Sequence, residues 1–140
     1  MYLASIVGVL AIGCGGERHA PPRDWQRSID VDKVTTACLP LIGTAGHLEP
    51  YDGGVFTRSD DLPRSSVPPA IRDLGATTVS VSAVDVDIEL GHYTIPPEND
   101  HWGLVCTRGA VSSRFQSRNH ASGTFLIPLG PHLYYYDGVM

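Results

Sequence analysis

Hydrophobic and polar residues alternate most regularly between Thr78 and Leu90, where Val84, Val86, Ile88 and Leu90 are interleaved with Asp85, Asp87 and Glu89. A period of two is that of a strand with one face on a core and the other in water. Val79 and Val81 fall on the opposite parity, so a register shift is expected near Ser82 and Ala83, as a β-bulge would make it. Shorter apolar runs follow at 93–95, 102–107, 110–115, 124–129 and 132–136, separated by turns rich in Pro, Gly or Asn. Upstream, Ile29 to Leu41 is rich in β-branched residues, and Asp52-Gly53-Gly54 ahead of Val55-Phe56 is a hairpin signal; short strands are expected in both regions. Charges, prolines and serines dominate residues 59–75, leaving room for about two helical turns over 68–74 with Pro at the start and Gly75 past the end. Short strands at this spacing predict an all-β fold, an antiparallel β-sandwich or jelly roll with one short helix near residues 68–74.

The chain begins differently. Tyr2 to Gly13 carries no charge and is shorter than the roughly 20 residues a helix needs to span a bilayer, which suits the apolar core of a secretory signal. Leu10-Ala11-Ile12-Gly13-Cys14 resembles a bacterial lipobox, in which the Cys is lipidated and becomes the first residue of the mature protein. It departs from the pattern in having Ala11 where Leu is commonest and no Lys or Arg near Met1. Gly15, Gly16 and Pro21-Pro22 read as a flexible tether. The expected organisation is a signal peptide over 1–13, a lipidated tether over 14–27 and a single β-sandwich domain over 28–140. A total of 140 residues suffices for one core and is too short for two domains of ordinary size. The resemblance implies export to the cell envelope with a membrane as partner through the lipid on Cys14. Gly15 in place of Asp after the Cys implies the outer membrane, on its periplasmic face or at the cell surface, in a Gram-negative cell.

Composition narrows the partners. The net charge is -5, from 10 Lys and Arg against 15 Asp and Glu, and no stretch gathers the basic residues into a stripe that could track phosphates. Nucleic acid is therefore not an expected partner. Three cysteines less Cys14 leave Cys38 and Cys106, an even remainder suited to an oxidising compartment. One disulfide between them would close a loop of about 70 residues, for which chain entropy gives on the order of 4 kcal/mol. Two buried unpaired thiols are the alternative.

Local catalytic motifs are missing: there is no Gly-x-Ser-x-Gly elbow, no Ser-x-x-Lys and no phosphate-cradling glycine loop ahead of a helix. Asp85, Asp87 and Glu89 could ligate Ca²⁺ from one strand face, but alternating charge is also what any half-exposed strand shows, and that reading is preferred. His92, Glu98, Asp100 and His101 around Pro96-Pro97 offer imidazole and carboxylate to a transition metal, without a compact ligand spacing.

The run from Asp85 through Gly91-His92-Tyr93 and Pro96-Pro97 to His101-Trp102-Gly103 and Cys106, followed 26 residues later by His132-Leu133-Tyr134-Tyr135-Tyr136, resembles the N-terminal domain of copper type II, ascorbate-dependent monooxygenases. In that family a strand and a Pro-rich turn lead to a Cys, and further on a His-His pair opens a hydrophobic strand. The likeness covers roughly 78–140. It implies that His132 stands for one member of the copper-binding pair, with Pro131 and Leu133 where a partner is needed, and that the domain is cut short at its C-terminus. A plain strand histidine outweighs a working ligand, so no catalytic residue is assigned. Copper is the one cofactor the likeness suggests. The expectation is thus an exported, membrane-anchored lipoprotein whose degenerate, non-catalytic copper-monooxygenase-like sandwich acts as a binding or structural module. The alternatives are part of a copper-dependent hydroxylase whose remaining domain lies outside this chain, and a carbohydrate-binding envelope module that stacks sugars on Trp102 and Tyr134 to Tyr136.

Overall fold

The computed structural model describes residues 28–95, 98–111 and 125–139. The expected signal peptide, Cys14 and tether lie outside them, as do most of the strand expected at 110–115 and the histidine His120. The chain forms the expected antiparallel, mostly-β architecture with a short helix, α2, at Pro69–Arg72. Strands β1 (His47–Tyr51) and β2 (Gly54–Arg58) make a separate hairpin. The other six make one sheet in the order β3-β4-β5-β6-β8-β7, with β3 Asp60–Asp61, β4 Thr78–Val81, β5 Asp85–Ile95, β6 Glu98–Thr107, β7 Phe125–Pro128 and β8 Leu133–Val139. All pairings are antiparallel.

One face of the large sheet carries the main core. Val79 and Val81, Val86, Ile88 and Leu90, Trp102, Leu104 and Cys106, and Leu133 and Tyr135 are buried there. The layer packed on them is contributed by Val34 and Cys38 of helix α1 (Val31–Cys38), Ile71 of α2, and Ile42 and Val67 in the connections.

Helix α1 corrects the strand expected over 29–41. Its β-branched residues favour a strand only weakly. Against them stand the Asp30 carboxylate, which accepts from the Lys33 N–H at 3.0 Å and caps the first turn, and the i,i+4 spacing of the buried Val34 and Cys38. Packing of that stripe on the sheet decides the outcome.

Two more corrections concern residues 78–95. The parity change at Ser82 is a tight turn between β4 and β5 and not a bulge in one strand: Val81 pairs with Val86, and the Ser82 N–H donates to the Asp85 carbonyl at 2.9 Å. The β-bulge lies further on, between Glu89 and Gly91 on the β5–β6 ladder. Nor is the carboxylate face of β5 wet. Asp85 is 1% exposed and Asp87 7%, and a second, smaller apolar cluster of Val105 and Tyr136, with Val111, Leu126 and Tyr134 against it, lies on that face; Val84, counted with the core by parity, sits in the turn and is exposed.

The hairpin stands apart from this body. Every residue of β1 is exposed, and Leu48, Tyr51, Val55 and Phe56 are more than half exposed. Its root is fixed by Gly46, whose φ of +75° and close approach to the Arg58 and Val81 carbonyls leave no room for a Cβ. The Gly46 N–H also donates to the Asp60 carboxylate at 2.9 Å.

Gly103 sets the centre of the sheet. A Cβ there would lie 2.0 Å from the Ile88 carbonyl oxygen and 3.0 Å from the Tyr136 hydroxyl. Gly103→Ala should therefore lower the urea midpoint by an amount equivalent to about 3 kcal/mol or more, because the obstructing atom is backbone and cannot swing aside. Gly109→Ala, with nothing within 4 Å, should stay within about 0.5 kcal/mol of wild type.

Candidate functional site

The structure sorts the residues singled out by sequence into four places. Cys38, at the last turn of α1, and Cys106, on β6, are both fully buried free cysteines lying against each other. A hydrogen bond from the Cys38 thiol to Cys106, reinforced by burial, pushes Cys38 far up, and the same bond, with the nearby Arg108, pulls Cys106 below the usual thiol range. The Arg108 guanidinium also donates to the Leu39 carbonyl at 2.7 Å, so the thiol pair and this clamp tie α1 to the end of β6.

His132 lies just before β8, half-buried, with Nδ1 3.0 Å from the Thr107 carbonyl oxygen, while its own carbonyl accepts from the Thr107 N–H at 2.9 Å. Thr107 is six residues along β6 from His101, roughly 20 Å at the rise of an extended strand. His92 is the cross-strand partner of His101 and is equally remote. Neither histidine can join His132 in a copper site.

The carboxylate row is divided. The Asp85 carboxylate accepts from the Ser82 hydroxyl at 2.7 Å, and that hydroxyl in turn accepts from the Val84 and Asp85 N–H groups, closing the β4–β5 turn. Asp87 accepts from the Tyr136 hydroxyl at 2.8 Å. Glu89 sits beside the bulge, 2.9 Å from His101 Nδ1 and 3.8 Å from His92 Nδ1, and accepts from the Thr77 hydroxyl at 3.2 Å. The His92 and His101 rings are 6.3 Å apart. The two histidines named from sequence are thus brought together, with Glu89 between them because the bulge turns His92 onto its side. The side chains of Glu98 and Asp100 lie outside the described residues. Among the described residues no three His, Cys, Asp or Glu side chains close around a cation position.

The aromatic residues proposed as sugar platforms are packed inward: Trp102 and Tyr135 are buried, Tyr136 is fully buried and Tyr134 half-buried. Among the described residues the rings open to solvent are Tyr51 and Phe56 of the hairpin, beside a groove of about 280 Å³. Arg58 at that groove is committed, paired with Glu49 at 2.8 Å and lying 5.0 Å over the Phe56 ring. That pairing holds the Glu49 carboxyl below its usual range.

Sequence reasoning missed a cavity of about 270 Å³ at the β3–β4 edge of the sheet. Leu62, Val67, Ala76 and Val79 give it an apolar part, and Thr77, Thr78, Arg64 and Arg72 also line it. Arg64 belongs to the 3₁₀ turn Arg64–Ser66 and Arg72 to the last turn of α2, so the short connection 59–75 positions both. Asp61 lines the same cavity, yet its carboxylate is engaged by the Ser80 hydroxyl and pairs with neither arginine. Among the described residues Arg64 and Arg72 make no ion pair and no side-chain hydrogen bond. Thr77 connects the cavity to Glu89. The nearest signal in the sequence is the segment 59–75, rich in charge, Pro and Ser, with its short helix.

Two measurements check this geometry. Tyr136→Phe removes a donor to a buried carboxylate and should cost about 1–3 kcal/mol in denaturant unfolding, and a cost near zero would show the bond to be unimportant. Titration of Cu²⁺ and Cu⁺ should reveal no submicromolar site that disappears in His132→Ala, since a lone imidazole is a weak ligand.

No helix among the described residues is long and apolar enough to cross a membrane. No protein-family model matches the chain, and no curated protein and no solved structure matches it either.

Proposed function

We propose that this chain is an exported lipoprotein, held at a membrane of the cell envelope by a lipid on Cys14, whose β domain is a non-catalytic binding module. The observation that carries the binding role is the edge cavity, walled in part by Leu62, Val67, Ala76 and Val79 and lined by two arginines that no described residue neutralises. Concave, mostly apolar sites with a few convergent polar groups are what small-molecule binding uses. Export and anchoring are supported by the uncharged segment ahead of Cys14 and by the cysteine pair, which needs only an oxidant to become a staple. Closing it would release two protons and pass two electrons to a disulfide-bearing oxidant of the envelope. The likeness to copper monooxygenases enters only in degenerate form, since His132 is held by Thr107 and lacks a neighbouring imidazole among the described residues.

Replacing Cys14 with Ala should release the protein from the membrane fraction and leave a precursor without lipid; retention at unchanged mass would refute the anchor. Peptide mapping of protein recovered from cells without reductant should find Cys38 and Cys106 in one linked pair. Reduction should then lower unfolding stability by roughly 4 kcal/mol. Two free, alkylatable thiols would place the domain in a reducing compartment.

A further inference from the structure

We propose that the edge cavity binds a small organic anion, a carboxylate or phosphate headgroup on a short apolar body, gripped by Arg64 and Arg72. This rests on the binding-module reading of the same cavity and names its ligand class.

The argument is one of charge left over. The protein as a whole is acidic, with a net charge of -5, so its arginines have no shortage of carboxylates to meet. Arg58 is paired at 2.8 Å with Glu49, and Arg108 donates to the Leu39 carbonyl at 2.7 Å. Arg64 and Arg72 do otherwise. They line one cavity with Asp61 in its wall, and the carboxylate there is engaged by Ser80 and pairs with neither. The next carboxylate along the edge strand, Asp60, is engaged by the Gly46 N–H. Arg64 and Arg72 line one concave surface without a carboxylate partner, and the planar N–H forks of guanidinium match the oxygens of carboxylate or phosphate. The walls decide the remainder of the ligand. Leu62, Val67, Ala76 and Val79 offer no hydrogen bond through their side chains and favour hydrocarbon behind the headgroup, Thr77 and Thr78 add hydroxyls to the same wall, and a volume of about 270 Å³ limits the body to a short one.

Isothermal titration at low ionic strength into the full-length, unlipidated Cys14→Ala protein tests this with four probes: hexanoate, hexyl phosphate, inorganic phosphate and hexanol. Hexanoate or hexyl phosphate should bind saturably at one site, hexanol at least about tenfold more weakly, and added salt should weaken the anions alone. Comparing the two hexyl anions tells carboxylate from phosphate, and inorganic phosphate reports the headgroup without the body. Arg64→Gln and Arg72→Gln should each lose about tenfold or more, the range of a charge-assisted hydrogen bond, while Arg58→Gln on the hairpin changes nothing. Both arginines are exposed, so unchanged melting temperatures should accompany the loss. Anions no better than hexanol, or anion binding indifferent to both arginine variants, would overturn the inference and leave a binding module with another ligand. No binding by any probe at millimolar concentration would take the binding reading down with it.

Discussion

The whole sheet turns on how closely β5, β6 and β8 approach one another around Gly103. Because that position has no side chain, the Ile88 carbonyl and the Tyr136 hydroxyl can both reach into its space, and Tyr136 can meet Asp87 on the same face of the sheet. Burying a carboxylate costs several kcal/mol unless donors compensate, so Asp87 and Asp85 hold the ladder to one register. A slip by one residue would move both acids into the main core and the valines and isoleucine out of it. The bulge at Glu89 to Gly91 shifts the register beyond this point and brings His92 opposite His101.

On this frame the candidate site is peripheral. The cavity lies where β3 and β4 end the sheet and α2 comes over the edge, so its arginines come from the connection and its walls partly from the core. Such a division suits recognition: the apolar side is fixed by packing that the protein needs anyway, and the charged side sits on exposed turns whose sequence can vary without loss of the fold.

Much of the fold could be read in the sequence. The period-two run on β5, the Asp-Gly-Gly hairpin and the Pro-to-Gly helix were each announced by local chemistry that tertiary packing did not oppose. Helix α1 was not, since Val31, Val34, Thr35 and Thr36 argue weakly for a strand and the deciding contact is with a distant sheet. Asp85 and Asp87 misled for the opposite reason: alternation reports that two faces differ, and cannot report that a polar face is also covered. His92 and His101 stand in one candidate set with Glu98 and Asp100, but Glu89 joins them only through a bulge whose position depends on cross-strand register. The edge cavity left the faintest trace, because Arg64 and Arg72 look like ordinary loop charges until the chain around them closes.

The hairpin has a consequence for how the protein comes apart. A two-stranded ribbon is marginal on its own, and this one draws its support from its root at Gly46 and Asp60 and from the Arg58 interactions across its surface. Its opening is separable from the global transition, so its amides belong to the fast-exchanging part of the molecule and those of β5 and β6 to the slow part. Among the described residues a protease would find its first cut at the Asp52-Gly53 tip, and an apolar ribbon released in that way is also a segment through which two molecules could begin to associate.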